Sequence, residues 1–360
     1  MVKKILVSPF DWGLGHATRD IPIINELLKR GYEVDIANHG SPKVFLEKEF
    51  PELNHIELPP YPIPYTTDKF FSGTIVMNLP LLLSHIRQER KVSSQIIEKK
   101  GYDLVISDNR FEMCSPKVPS FLITHQLMFK FPQHFKHFEI LSKIFNARYY
   151  KWFDKIIVPD FEPDTSSIAG ELSRRNFLTK HDKIYYAGPF SHVEKKDVEE
   201  DIDYFVSISG PEPQRTNFEK VVLKQIDALK GRVVVSLGEP ERDKVVWIGG
   251  AEVRSNMNRF AQLDHLNRAK TVISRPGYTT VMELLELGKK AMFIPTPGQT
   301  EQEYLAMLYK EKGWFYSISQ DKLNFEIDLE ESKSFTGFPS TNNSKENVKK
   351  LIDEIIEPAL

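Results

Sequence analysis

"VISRPGYTTVMELLELGKKAMFIPTPGQTEQEYLA", residues 272–306, contains two strand–turn–helix passages in succession. "TVISR" is a short apolar run that stops at Pro276-Gly277. "TTVMELLELG" then repeats apolar residues at helical spacing and ends on Gly288. "AMFIP" is a second strand, Pro297-Gly298 a second turn, and "TEQEYLAMLYKEKG" a second helix. Such alternation predicts parallel strands joined by helical crossovers. The turns carry the chemistry. Arg275, Gly277, Tyr278 and Thr279 would offer backbone amides and a charge to a phosphate, with Thr279-Thr280 capping the helix. Glu283 would accept hydrogen bonds from a ribose diol, and Gln299, Glu301 and Gln302 would read sugar hydroxyls. The ordinary alternative is a plain loop with a solvated helix acid, and two such loops in a row weigh against it.

Upstream, "YFVSISG" is a strand, "PEPQRT" a rigid turn and "NFEKVVLKQIDALKG" a helix, followed by strands "RVVVSLG" and "KVVWIGG". Ser209, Gly210 and Arg215 in that first turn suit a diphosphate, although a merely rigid turn would look the same. "SHVEKKDVEEDID", residues 191–203, is acidic and aperiodic and reads as a domain boundary. Its Asp201-x-Asp203 mimics a metal-binding pair but is taken as linker. The N-terminal half repeats the alternation, with "KKILVSPF", "YEVDIAN", "DLVISD", "SFLIT", "KIIVPD" and "KIYYAGPF" as strands. The chain therefore divides into α/β domains at 1–190 and 191–345. The last helix, 346–360, would pack back on the first. Ligands of such sheets sit beyond the carboxyl ends of the strands, which places the expected site in a cleft between the domains.

The first of these turns is "DWGLGHATR", residues 11–19. Gly13 and Gly15 match the opening of a dinucleotide fingerprint, but Thr18 stands where the third glycine belongs. A pyrophosphate has no use for His16. At a helix N-terminus the free amides and dipole favour a neutral imidazole, which can take a proton from a hydroxyl. The plain reading, a helix-cap histidine, is less favoured directly after Gly-Leu-Gly. Asp108, at the end of "DLVISD", would orient His16 or the acceptor, or merely cap its strand.

Composition sets the outer limits. The 360 residues carry a net charge of −2, so no global attraction to nucleic acid or anionic membrane exists. Cys114 is the single cysteine, which rules out intramolecular disulfides and cysteine-based zinc sites. "TIVMNLPLLL", residues 74–83, is too short and too interrupted to span a bilayer. Residues 125–155 hold six Lys or Arg against Glu139 and Asp154, a local charge of +4, interleaved with aromatics. That mixture suits a membrane interface or a lipid-linked acceptor, while core aromatics with solvated lysines would look alike. Nucleic acid is the weakest of these readings. His125, His134 and His137 lack good metal-ligand partners in sequence and read as part of an aromatic-rich surface or core.

Gly-x-Gly-His in the first half, with "SRPGYTTVMELLELGKKAMFIPTPGQTEQEYLA" in the second, resembles the GT-B glycosyltransferases. Within that fold the chain resembles the MurG-type, family 28 lipid-linked N-acetylglucosaminyltransferases and archaeal proteins similar to them. The resemblance implies two Rossmann-like parallel-sheet domains facing a cleft, and a cytoplasmic enzyme at the inner face of the membrane. It implies a C-terminal domain that binds a nucleotide-sugar, most often a UDP-sugar, with no further cofactor and no metal. By the same resemblance Glu283 holds the ribose, and Arg275, Gly277, Tyr278 and Thr279 form the diphosphate turn. Gln299 and Gln302 lie in the donor-sugar loop, and Leu263, Asp264 and His265 lie near the base. His16 sits in the acceptor-side loop. "SGPEPQR" departs from the Gly-Gly-Ser type loop of the peptidoglycan enzymes, so donor sugar and acceptor stay open.

The expected activity is inverting glycosyl transfer to a hydroxyl, with His16 as base and Arg275 and Arg215 steadying the departing diphosphate. A nucleotide-sugar hydrolase of the same fold, a non-catalytic sugar-nucleotide-binding subunit and, more distantly, a dehydrogenase are the rivals.

Overall fold

A computed structural model of the chain describes residues 2–11, 13–59, 79–163, 166–239, 242–339 and 343–360. Residues 74–78 of the apolar stretch and the side chain of His134 lie outside what is described. The described residues form two compact units. The first runs to His192 and takes in Asn343–Leu360, and the second begins at Val193.

The first unit is built on β1 (Lys4–Pro9), β2 (Glu33–Asn38), β3 (Asn54–Glu57), β4 (Leu104–Asp108), β5 (Ser120–Ile123), β6 (Lys155–Val158) and β7 (Ile184–Tyr186). The order is β3-β2-β1-β4-β5-β6-β7, every neighbouring pair parallel. Ile5, Leu6 and Val7 are all fully buried because helices cover both faces, which is why the strand reads as an unbroken apolar run. Helices α1 (Gly15–Lys29), α2 (Gly40–Glu49), α3 (Leu79–Lys100) and α4 (Glu139–Tyr150) accompany this sheet. Along α1, Ile21, Ile24 and Leu27 enter the core at helical spacing.

The second unit contains β8 (Ile202–Ser207), α5 (Gln214–Lys224), β9 (Val233–Ser236), β10 (Val245–Ile248), β11 (Ala251–Arg254) and α6 (Arg259–Arg268). β12 (Ala269–Ser274), α7 (Tyr278–Leu287), β13 (Lys290–Phe293), α8 (Thr300–Glu311), β14 (Tyr316–Ser317) and α9 (Phe325–Ser332) follow. The sheet order is β10-β11-β9-β8-β12-β13-β14, and all pairs but one are parallel. β10 runs antiparallel to β11. "KVVWIGG", read in sequence as one more strand of the series, is instead half of a hairpin. Gly249 and Gly250 have φ of 57° and 83°, the conformation a two-residue hairpin turn requires.

The final helix, α10 (Ser344–Leu351), belongs to the first unit, where Val348, Leu351, Ile352 and Ile356 join the α1 core. Asn347 Nδ2 donates to the Pro189 carbonyl at 2.7 Å, and Arg30 reaches Asp353 and Glu357.

Each sheet reverses its direction of growth once. In the first unit the reversal lies between β1 and β4, and in the second between β8 and β12. Loops diverge there beyond the strand ends, leaving a crevice for a ligand.

Candidate active site

β1 and β4 are paired so that Pro9 lies beside Asp108, the last residue of β4. His16, in the first turn of α1, therefore begins its helix directly over that carboxylate. His16 Nδ1 lies 3.0 Å from Asp108 Oδ1. Arg19, one turn further along α1, donates from Nε to Asp108 Oδ2 at 2.9 Å and from Nη2 to Oδ1. Residues three apart share a helix face, so both side chains reach the same acid.

Asp108 is fully buried. Burial alone would raise its carboxyl, but the Arg19 charge and the hydrogen bonds from His16 and Arg19 outweigh it and hold the group well below the usual carboxylate range. An ionised Asp108 requires a proton on the nitrogen facing it. Nδ1–H therefore donates to Asp108, and Nε2 is the basic nitrogen of the ring. Arg19 Nη2, 2.9 Å from the same Nδ1, is then a packing neighbour whose hydrogen bond goes to the carboxylate.

Sequence reasoning missed Arg19, Asp20 and His125. The i, i+3 spacing from His16 was the signal for Arg19. Asp20 is fully buried, and its carboxyl is pushed well above the usual range, first by burial and then by the Asp108 charge. His125, read from sequence as core or surface, is buried with Nδ1 3.4 Å from Arg19 Nη1. Arg110, just past β4, is buried among Glu89, Glu112 at 3.1 Å and Asp11 at 3.8 Å, which ties the glycine loop to the β4 end. Gly13 has φ of 79° in that loop, and Gly15 is the first residue of α1.

At the β8/β12 reversal the second unit places the turn that precedes α7. Its N-cap is Gly277 rather than the threonines expected from sequence. Glycine contributes no side-chain cap of its own at this helix N-terminus, where the helix dipole favours an anion. Its φ of −68° needs no glycine, and a Cβ there would meet only Thr280 Oγ1 at 3.9 Å. Tyr278 itself is buried and Thr279 half-buried. Glu283 follows on α7, where desolvation pushes its carboxyl up to about 7 against the pull of Arg259.

Arg275 is buried and takes a different part from the one expected. Nη1 donates to the Ile294 and Pro295 carbonyls at 2.8 Å, and Nη2 donates to Gln320 Oε1 at 2.5 Å. Its guanidinium lies 4.1 Å from the Phe218 ring. Burial lowers its pKa to about 9. The group ties the β12 turn to the β13 loop and does not reach outward.

Arg215 also departs from expectation. Glu212 at 2.6 Å, Glu219 at 2.9 Å and Glu239 at 3.4 Å surround its guanidinium, so its charge is neutralised where it stands. Ser209 and Gly210 are exposed at the end of β8. His265 is buried on α6, donating from Nδ1 to the Ala261 carbonyl at 2.5 Å and lying 5.8 Å from the Phe205 ring. It serves the core and is withdrawn from any base. Leu263 and Asp264 are half-buried on the same helix.

The two glutamines hold their loop in shape. Gln299 Oε1 accepts from the Gln302 amide at 2.6 Å, and Gln302 Oε1 accepts from the Thr296 amide at 2.9 Å. Asp201 pairs with Arg232 and Arg268, and Asp203 with Lys270, which makes the Asp-x-Asp a structural element. Among the described residues no cluster of three or more His, Cys, Asp or Glu is arranged to hold a metal ion.

Residues 125–155 divide in two. Tyr149, Tyr150 and Phe153 are core. Phe135, Ile140, Leu141 and Ile144 are exposed, with Lys136 and Arg148 beside them in sequence. No helix among the described residues is long and apolar enough to cross a membrane.

Residues 215–355 match the glycosyltransferase family 28 C-terminal domain. An uncharacterised glycosyltransferase of Methanosarcina acetivorans is 24% identical, over 99% of this chain and 96% of its own length. A Rickettsia massiliae UDP-N-acetylglucosamine–N-acetylmuramyl-(pentapeptide) pyrophosphoryl-undecaprenol N-acetylglucosamine transferase is 24% identical over the whole of both chains. Among solved structures, Acinetobacter baumannii MurG superposes with a TM-score of 0.60 at 12% identity, covering 98% of this chain and 100% of its own.

Proposed function

We infer that this chain, a family 28 glycosyltransferase with the GT-B fold, moves a sugar from a UDP-sugar to a hydroxyl acceptor with inversion at the anomeric carbon. The observation that carries the reading is the His16–Asp108 pair at the β1/β4 reversal. A base whose far nitrogen is held by a buried carboxylate is built to accept a proton at Nε2.

The acceptor O–H gives its proton to His16 Nε2 while its oxygen bonds to the anomeric carbon. The bond from that carbon to the diphosphate oxygen breaks, and its electron pair leaves with the diphosphate. Asp108 stabilises the imidazolium so formed, and Arg19 keeps Asp108 ionised. The amides of the 277–279 turn meet the leaving-group charge as it develops. Arg275 supports that turn from behind, and Glu283 as a carboxylate receives the ribose diol. Gln299 and Gln302 receive sugar hydroxyls through their NH₂ groups.

The uridine base is supported by the relative from Rickettsia massiliae, whose name specifies a UDP-sugar. A lipid-linked acceptor is supported by the same name and by the exposed Phe135, Ile140, Leu141 and Ile144 with their basic neighbours. Apolar side chains mixed with lysine and arginine suit the interface of an anionic bilayer. The deciding experiment is a thermal-shift screen of nucleotide-sugars, followed by turnover of each binder with and without acceptor. A donor that stabilises the protein and is consumed only with a hydroxyl acceptor supports transfer. Sugar release at full rate in water alone would replace transferase with hydrolase.

A further inference from the structure

Among the described residues the sheet of the second unit ends in β10, with no strand paired on its outer side. All four residues of β10 are apolar, and they are exposed by 52% (Val245), 46% (Val246), 71% (Trp247) and 37% (Ile248). Alternation puts Val245 and Trp247 on one face and Val246 and Ile248 on the other. Neither face of the strand carries a charge.

The other sheet edges are protected. β3 ends the first sheet with polar Asn54, His55 and Glu57 around Ile56, β7 has three residues, and β14 has two that are buried. Edge strands that meet water are usually short, charged or covered; β10, though only four residues long, is neither charged nor covered.

The hydrogen-bond phase of the hairpin fixes which groups face outward. Ser255 N–H donates to the Lys244 carbonyl at 2.9 Å, so that pair is a bonded one. Bonded and non-bonded pairs alternate in an antiparallel ladder. Val246 and Ile248 therefore spend their backbone groups on β11, opposite Val253 and Ala251. Val245 and Trp247, opposite Arg254 and Glu252, turn theirs to the open edge. The Leu237 N–H taking the Arg254 carbonyl at 2.9 Å on the far side agrees with this phase.

We propose that β10 pairs antiparallel with β10 of a second copy of this chain, with Val246 on the two-fold axis. In that register Val245 of each copy opposes Trp247 of the other. Those are the two residues whose N–H and C=O face outward, so all of these groups are satisfied reciprocally. Each Trp247 ring covers the other copy's Val245, an aromatic–β-branched pair of the stabilising kind. Lys244 falls opposite Ile248 and Asp243 opposite Gly249, so no like charges meet. A foreign strand would need its own match to this short apolar run. The second copy carries that match by symmetry.

Sedimentation velocity on the full chain, up to high micromolar concentration, tests the pairing. Reversible dimerisation is expected. Val245→Pro, which removes an outward N–H and leaves the β10–β11 ladder intact, should abolish it, as should Trp247→Lys. Both variants should melt and bind UDP like the parent. The register is read by cysteine cross-linking, because Cys114 is buried. Val246 would face its own copy in a non-bonded pair with Cα atoms about 4.5 Å apart, within disulfide reach. Val246→Cys should oxidise to a covalent dimer, whereas Val245→Cys and Trp247→Cys alone should not. A chain that stays monomeric throughout overturns the proposal. So does a dimer that survives both edge variants, or cross-linking no faster at 246 than at 247. Vesicle binding lost in Trp247→Lys by a monomeric protein would assign the strand to a membrane instead.

Discussion

His16 Nδ1 and Asp108 Oδ1 lie 3.0 Å apart although 92 residues separate them in the chain. The pairing follows from the parallel register of β1 and β4, which brings the start of α1 over the end of β4. It fixes one imidazole tautomer and so determines what each partner contributes.

Replacing His16 by Ala should lower the transfer rate by about 10²–10⁴, the usual contribution of a positioned base. Steady-state kinetics with UDP titration checks it. UDP affinity should be unchanged, since the diphosphate turn lies in the other unit, and the variant should stay folded because Arg19 still pairs with Asp108. A folded variant with full transfer rate would remove His16 from the chemistry.

Asp108→Asn should cost both activity and stability. The neutral amide no longer fixes Nδ1–H, and Arg19 is left buried without its counter-charge, a loss of about 3–5 kcal/mol. Combining Asp108→Asn with Arg19→Met should recover much of the stability and none of the activity. Denaturant unfolding of the four-member cycle, run beside rate measurements, separates the two effects.

Glu283 predicts a pH dependence. Its carboxyl titrates near 7 in the folded protein and near the ordinary glutamate value when unfolded. The folded state therefore holds the proton more tightly, and stability without ligand should fall as pH rises through that interval. A ribose diol needs the carboxylate, so UDP binding should weaken as pH drops below about 7. Calorimetric titration between pH 5.5 and 8.5, bracketing the pKa of about 7, tests this. Glu283→Gln should bind weakly at every pH, and a parent profile equally flat would rule out the carboxylate's role.

Leu141→Asp with Ile144→Asp should abolish co-sedimentation with anionic vesicles and leave transfer to a soluble acceptor unchanged. Both side chains are more than half exposed on α4, so the change should leave the fold intact. Retention of vesicle binding would move any membrane contact elsewhere.

Sequence periodicity was enough for the alternating strands and helices, because buried parallel strands read as short apolar runs and helices as spaced ones. Gly277 and Glu283 stood out for the same local reason, since one βα turn and the helix it opens hold both. The glycines at 249 and 250 signalled a hairpin that the apolar run before them concealed.

What the sequence determined by itself was the two α/β units, the turns at their strand ends and the histidine after Gly-Leu-Gly. The tertiary structure decided which charges are usable. Arg215 lies within the reach of Glu212, Glu219 and Glu239, and Arg275 is folded inward onto carbonyls. Arg19, absent from the sequence-based site, holds Asp108 ionised. A residue's type is local, but its charge state and direction depend on partners brought close by strand register, and no window along the chain contains them.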